Sequence, residues 1–371
     1  MPGASRGKGK VRYAVVGLGY IAQSAILPAF AHARRNSSLH ALVSGDPVKL
    51  RALGDQYDVA VRGSYDELEQ CLGEVDAVFI ATPNSEHADH CVRAANAGVH
   101  VLCEKPLAVT EADCDRMMRA CADAGVKLMT AYRLHFDPLM LDVLKQIRSG
   151  RIGTLRYVSA SFSMQAKPDG IRTRPETGGG TLYDLGVYCI NAARMVFAAE
   201  PVQVFAYAID GGSARMPGVD QTTAAVLRYD DERVASFVTG FSSADVSSLR
   251  IVGSEGDIHM EPAFEYAEPL KYTLTAGETT IKKRGRKRDQ FAAELLYFSD
   301  CIRQDREPEP SAEEGARDVT IVERLYESAR RNESIALRPF APEPGPERRQ
   351  AIDRPPVPRQ PDLVHADKPH S

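Results

Sequence analysis

The sequence predicts an α/β chain in two parts: a Rossmann domain, then an α+β domain built on a large, open, mostly antiparallel sheet. Three observations carry that reading. Up to about residue 131, short β-branched runs alternate with amphipathic helical stretches, the pattern of a doubly wound parallel sheet. Beyond residue 132, strand-like runs follow one another without helices between them, which requires antiparallel pairing. The chain's 371 residues also exceed the roughly 250–300 that one core usually serves. The expected division is a flexible N-terminus (1–10), a dinucleotide-binding domain (11–131), a substrate and oligomerisation domain (132–340) and a disordered, proline-rich tail (341–371).

The first strand, 12–16, meets Gly17-Leu18-Gly19-Tyr20-Ile21-Ala22 and then a helical pattern through Phe30. Strand, glycine turn and helix start in that order form a dinucleotide fingerprint, with Tyr20 and Ile21 inside it. Gly17 permits the tight turn, Gly19 lets the backbone approach a pyrophosphate, and Ala22 keeps the helix close to the sheet. The helix N-terminus adds free N–H groups and a dipole that favours the anion. A second strand, 39–43, ends in Ser44-Gly45-Asp46-Pro47-Val48-Lys49. An acid directly at this strand end would take the ribose 2′-OH of NAD. Here the position holds Ser44, with Lys49 one helical turn on, and a hydroxyl plus an ammonium suits a 2′-phosphate. The expected cofactor is therefore NADP, with NAD as the alternative. Asp46 either repels that phosphate or caps the helix that begins at Pro47.

A third strand, 75–80, stops at Ala81-Thr82-Pro83-Asn84-Ser85-Glu86-His87. Thr82, Pro83, Asn84 and His87 are candidate cofactor contacts, and His87 reads equally well as a helix cap or loop packing. Helix 88–97 leads through Gly98 to an apolar strand closed by Cys103-Glu104-Lys105-Pro106. The proline halts the strand and sets Glu104 and Lys105 at its carboxyl end, where ligands bind in open α/β sheets. A helix over 111–125 and a strand over 126–130 complete the pattern.

After Tyr132-Arg133-Leu134-His135-Phe136-Asp137-Pro138 comes a helix, 139–149, and then strand-like runs at 156–164, 202–209, 222–229, 234–241 and 248–252. Arg133, His135 and Arg174 are candidate sugar contacts. Set among the strands is a glycine run, 178–180, leading into Thr181-Leu182-Tyr183-Asp184-Leu185-Gly186-Val187-Tyr188-Cys189-Ile190-Asn191. Asp184 and Tyr188 lie four apart, on one face of a predicted helix. A carboxylate beside a phenol suits proton transfer to or from a hydroxyl. A phenol with a pKa near 10 needs a nearby cation to act as base at neutral pH, and Lys105 is the candidate. The competing reading makes Asp184 a helix cap and Tyr188 core packing. The basic run at 282–288 reads as a solvated loop before helices at 291–303 and 316–332.

Composition excludes several classes. A net charge of -4 argues against general affinity for nucleic acid or anionic membrane. No apolar run approaches the roughly 18 residues that span a bilayer. Seven scattered cysteines without a Cys-x-x-Cys pair fit reduced thiols rather than a disulfide framework or a metal site. The first ten residues hold no apolar stretch that could serve as a secretory signal, so the expected compartment is the cytoplasm.

Taken together, these motifs resemble the glucose–fructose oxidoreductase / inositol dehydrogenase / rhizopine catabolism (Gfo/Idh/MocA) family, from about Val11 to Leu337. The likeness is carried by Gly17-Leu18-Gly19, Thr82-Pro83-Asn84 with His87, Cys103-Glu104-Lys105-Pro106, the stretch 178–191, and Glu313-Glu314-Gly315-Ala316-Arg317-Asp318 with Leu325-Tyr326-Glu327-Ser328-Ala329. Leu42-Val43-Ser44-Gly45, the stretch 132–138 and the Asp184/Tyr188 pair are most like the glucose–fructose oxidoreductase branch. The resemblance implies oligomers, dimeric or tetrameric, formed through the open sheet. It also implies a catalytic set of Lys105, Asp184 and Tyr188, with Ser44 and Lys49 on the NADP 2′-phosphate. Many members carry histidine where this chain has Tyr188, and the long N-terminal arm of glucose–fructose oxidoreductase has no counterpart here. The expected reaction is NADP-dependent hydride transfer from C1 of an aldose to give a lactone, with reduction of a second sugar as a coupled half-reaction. Alternatives are a simple aldose or dihydrodiol dehydrogenase, a keto-sugar reductase, or a dinucleotide-sensing regulator without chemistry.

Overall fold

The computed structural model describes residues 9–210, 216–341, 345–357 and 361–368. Among them, six parallel strands form the first sheet: β1 (Val11–Val16), β2 (Ser37–Val43), β3 (Val61–Gly63), β4 (Ala77–Ile80), β5 (His100–Glu104) and β6 (Leu128–Ala131). Their order is β3-β2-β1-β4-β5-β6, so the direction of winding reverses between β1 and β4. The strands are apolar along most of their length because helices cover both faces: Val15, Phe79 and Leu102 face one core, Val16, Ile80 and Cys103 the other. Register decides what meets at the carboxyl edge. Val16 pairs with both Val43 and Ile80, and Ile80 pairs with Cys103. One residue further on, Gly17, Ser44, Ala81 and Glu104 therefore form a row along that edge. The short edge strand β3 was not predicted; three residues ending in glycine carry no period to read.

The second sheet comprises β7 (Leu155–Gln165), β8 (Gln203–Ile209), β9 (Thr222–Arg228), β10 (Val234–Gly240), β11 (Ser242–Gly253), β12 (Gly256–Met260), β13 (Lys271–Ala276), β14 (Thr279–Arg284) and β15 (Ile335–Ala336). The order is β14-β13-β12-β11-β7-β10-β9-β8-β15, antiparallel throughout except for the β7–β10 pair. Strand β9 shows why it has one dry face: Thr223, Ala225 and Leu227 are buried, while Ala224, Val226 and Arg228 point out. Three helices, Pro138–Arg148, Val187–Phe197 and the second half of Ala312–Arg331, pack on the dry face. The other face exposes Tyr157, Tyr207, Ile209, Val226 and Val238.

Three expectations need correction. Lys282, Lys283 and Arg284 stand in the edge strand β14 rather than a loop, where charge discourages pairing with another chain. Lys283 is also tied to Asp142 at 2.8 Å. The helix Gln290–Gln304 belongs to the Rossmann core, not to the second domain: Phe291, Leu295 and Phe298 pack with Tyr13 and Phe79. The described parts of the tail pack on the folded chain: Arg148 Nη1 donates to the Pro346 carbonyl (3.0 Å), and the segment beyond runs along the Rossmann domain. There Ile352 N–H donates to the Phe136 carbonyl (3.3 Å), and Ile352 and Val364 pack on the core. Prolines reduce the conformational freedom that such a segment loses on docking, so a few apolar anchors suffice to hold it. Among the described residues, no helix is long and apolar enough to cross a membrane.

Candidate active site

The glycine turn after β1 separates two different demands for glycine. Gly17 has φ +93°, and a Cβ there would lie 2.6 Å from the Ala81 carbonyl oxygen, so both conformation and packing require it. A Cβ at Gly19 would meet no protein atom within 4 Å; the chain's own packing does not ask for glycine at that position. Gly19, Tyr20 and Ile21 line one end of a cleft of about 600 Å³ between the two domains. A larger hollow of about 770 Å³ lies on the outer side of the Rossmann domain against Val357 and Pro361 and holds none of the strand-end groups.

Lys105 enters the cleft from the end of β5. Its Nζ donates to the Asp184 backbone carbonyl at 2.8 Å and to Asp184 Oδ1 at 3.1 Å. The same Nζ stands 4.7 Å from the centre of the Tyr188 ring. The Arg133 guanidinium stands 5.0 Å from that ring. Asp184 Oδ2 accepts from Arg172 Nε at 2.6 Å. Burial pushes the Asp184 carboxyl up, but Arg172 and Lys105 outweigh burial and hold it below the usual carboxylate range. A wide π-helical turn, Leu182–Gly186, opens the helix that carries these groups, a distortion frequent at functional sites. Phe162 packs edge-on against Tyr188, with ring centres 5.6 Å apart.

The rim residues hold the crevice together. His87 is fully buried, its Nδ1 3.0 Å from the Pro106 carbonyl and its Nε2 3.1 Å from that of Thr82, so it clamps the ends of β4 and β5. Burial pushes its pKa down, opposed by the backbone carbonyls it faces. Asn84 donates to the Gly178 carbonyl at 2.8 Å, joining the loop that begins at Pro83 to the glycine run of the second domain. Burial pushes the Glu104 carboxyl up to about 7, opposed by Lys105 and Arg133. Behind it Glu294 is fully buried with neither carboxylate oxygen hydrogen-bonded, and burial together with Glu104 raises its pKa as well.

Residues 11–132 match the GFO_IDH_MocA oxidoreductase family with its NAD-binding Rossmann fold, and residues 140–259 match the GFO/IDH/MocA C-terminal domain. The chain belongs to the GFO/IDH/MocA oxidoreductase family. D-xylose 1-dehydrogenase (NADP(+)) 2 of Haloferax volcanii is 30% identical to this family member over 336 residues, 88% of this chain and 99% of the relative. A dTDP-3,4-didehydro-2,6-dideoxy-alpha-D-glucose 3-reductase of Streptomyces violaceoruber is 31% identical over 300 residues, 79% of this chain and 86% of the relative. The structure of aldose-aldose oxidoreductase from Caulobacter crescentus, complexed with glycerol, matches with a TM-score of 0.84 at 35% identity, covering 88% of this chain and 100% of that one.

In this GFO/IDH/MocA member two expected sugar contacts lie elsewhere. His135 is fully buried behind the cleft, its Nδ1 2.7 Å from Glu309 Oε1 and its Nε2 2.9 Å from Asn191 Oδ1. Arg174 is exposed and does not line the cleft; Arg172, two residues earlier, does and reaches Asp184 instead. Sequence reasoning missed Arg172 because an irregular loop has no period that says which of two alternate arginines turns inward. Glu294 was missed because nothing local marks one acid on a helix as buried. Ser44 and Lys49 sit at the far corner of the Rossmann edge, outside the cleft, with Ser44 buried at the end of β2.

Proposed function

We propose that this family member is an NADP-dependent sugar oxidoreductase that oxidises C1 of a cyclic aldose to the lactone, with a second sugar as hydride acceptor in a coupled half-reaction. One observation carries the reading: the Lys105 ammonium, the Asp184 carboxylate and the Tyr188 ring come from two domains and meet in one cleft. The residues fit the cofactor. Gly19 leaves its backbone open to a pyrophosphate, and Ser44 replaces the acid that would select a free ribose hydroxyl. When bound, NADP supplies the nicotinamide carbon that accepts hydride.

The chain's own groups handle the proton. Tyr188 takes it from the substrate hydroxyl as the carbinol becomes a carbonyl. Two of the three Lys105 N–H groups go to Asp184, which leaves the third for the same substrate oxygen. Asp184 and Arg172 fix the position of Lys105, and Arg133 presents a second cation to the ring. The names of the relatives, an NADP-linked xylose dehydrogenase and an aldose-aldose oxidoreductase, support this substrate class. A second reading, reduction of a keto-sugar, is favoured by likeness to a 3-ketoreductase from Actinomadura kijaniata solved with NADP and TDP-benzene (26% identity, TM-score 0.78, 86% of this chain and 98% of that one). There Tyr188 would return the proton. We read the exposed face of the second sheet as the contact between copies in a homo-oligomer.

The test is nicotinamide absorbance over a panel of aldoses and polyols with NAD and with NADP. Reduction of NADP by an aldose is expected. Turnover between two aldoses without added cofactor separates the coupled reaction from a simple dehydrogenase. Activity only toward keto-sugars would favour the second reading, and no turnover with any sugar would sink both.

A further inference from the structure

Asp46 stands two residues beyond Ser44, close to the strand end where an acid in a nicotinamide enzyme would take the ribose hydroxyls. Both of its oxygens are already committed. Oδ1 accepts from the N–H groups of Val48 (2.8 Å) and Lys49 (3.2 Å), capping the helix Pro47–Gln56. Oδ2 lies 2.9 Å from Nδ1 of His365, and since a carboxylate can only accept, His365 donates.

His365 is held in position by its neighbours. Val364 pairs its backbone with the buried amide of Gln23, whose Nε2 donates to the Val364 carbonyl (2.9 Å) while its Oε1 accepts from Val364 N–H (2.8 Å). Gln23 lies on the helix that follows the glycine turn and also donates to the Leu18 carbonyl at 2.9 Å. The Val364 side chain packs on the Rossmann core. His365 follows with φ 45°, in the left-handed region that histidine enters more readily than branched residues do. Three residues later Lys368 lines the cleft that holds Lys105 and Tyr188. The segment 361–368 thus runs from the Asp46 corner toward the catalytic groups, alongside the glycine turn.

We propose that His365 is a cofactor-specificity residue. By donating to Asp46 Oδ2 it competes for the acceptor that the 2′-hydroxyl of NAD would use and shields the carboxylate from a 2′-phosphate beside Ser44 and Lys49. The inference rests on the NADP reading above and extends the cofactor site to a segment some 320 residues away in sequence. The His365–Asp46 contact is largely exposed, and exposed pairs are modest, so the expected effect is a few-fold to about tenfold change in affinity.

The experiment is calorimetric titration of the full chain, freed of bound nucleotide, with NADP and separately with NAD. Wild type, His365→Ala, Asp46→Asn, the double variant and a chain ending at Val357 are compared, each checked for an unchanged melting curve. The expected result is a preference for NADP in wild type that shrinks about three- to tenfold in His365→Ala and in the shortened chain. In the Asp46→Asn background, removing His365 should change nothing further. An NADP/NAD ratio that is unmoved by His365→Ala, or moved equally with and without Asp46, overturns the inference while leaving the NADP reading intact. A wild-type preference for NAD overturns the NADP reading itself and the inference with it.

Discussion

In the proposed mechanism Lys105, Asp184 and Tyr188 divide one task, and that division sets what each substitution should do. Tyr188→Phe removes the hydroxyl that exchanges a proton but keeps the ring against Phe162 and under Lys105. The expected outcome is a fall in kcat of about 100-fold or more with KM and cofactor affinity within a few-fold, read by steady-state kinetics on the best aldose. Lys105→Met should cost at least as much and also raise KM, because in the proposed mechanism the ammonium touches the substrate oxygen as well. A Tyr188→Phe enzyme with unchanged kcat would remove the phenol from the mechanism. That these three residues come together was legible in the sequence because each is marked locally: a proline stop fixes Lys105, and a spacing of four unites the other two. His135 sits in a stretch that also looked like substrate machinery, yet its partners Glu309 and Asn191 lie far along the chain, and burial is decided by those partners.

At the scale of elements, the strand–turn–helix unit after β1 offers a clean separation of folding from binding. Alanine at Gly17 must adopt a positive φ and push a Cβ into the Ala81 carbonyl, so Gly17→Ala should lower the unfolding free energy by about 2 kcal/mol and impair dinucleotide binding as well. Alanine at Gly19 meets nothing in the protein, so Gly19→Ala should melt like wild type while losing most of its affinity for the dinucleotide. Calorimetric melts and titrations on both variants check this; a Gly19→Ala chain that binds normally would show that the pyrophosphate passes elsewhere. The alternation of elements in the first half was legible because buried parallel strands read as unbroken apolar runs. Strands β12 to β14 were not, because they extend toward an edge and carry threonine, lysine and arginine that suit a loop equally well. The return of the helix Gln290–Gln304 to the Rossmann core was not legible either: an amphipathic face does not say which of two cores it covers.

Across the whole molecule, two surfaces have opposite character. The outer face of the second sheet carries Tyr207, Ile209, Val226 and Val238, each at least 40% exposed, a patch that suits a second copy. Replacing Tyr207 and Val226 with glutamate should release monomers on light scattering, whereas a monomeric wild type would refute the oligomer. The inner seam is ionic. His135, from the segment that leaves β6, meets Glu309 at 2.7 Å and Glu314 at 3.6 Å, and Asn191 ties it to the helix Val187–Phe197. Arg194 of that helix pairs with Glu200 and with Asp318, both at 2.6 Å, and Gln350 of the tail binds Glu309. Burial alone would lower the His135 pKa, but Glu309 and Glu314 outweigh it and raise it to about 10. The unfolded chain's histidine titrates near 6.5, so the native state holds the extra proton between the two values. The stabilisation is therefore complete below about pH 6.5 and is lost as pH rises through 10. His135→Gln leaves the half-buried Glu309 and the buried Glu314 without their shared cation and should cost about 3 kcal/mol at pH 6. Urea unfolding of both proteins at pH 6, 8 and 10 should show that cost shrinking with pH, and a gap that stays constant would mean His135 acts by packing alone.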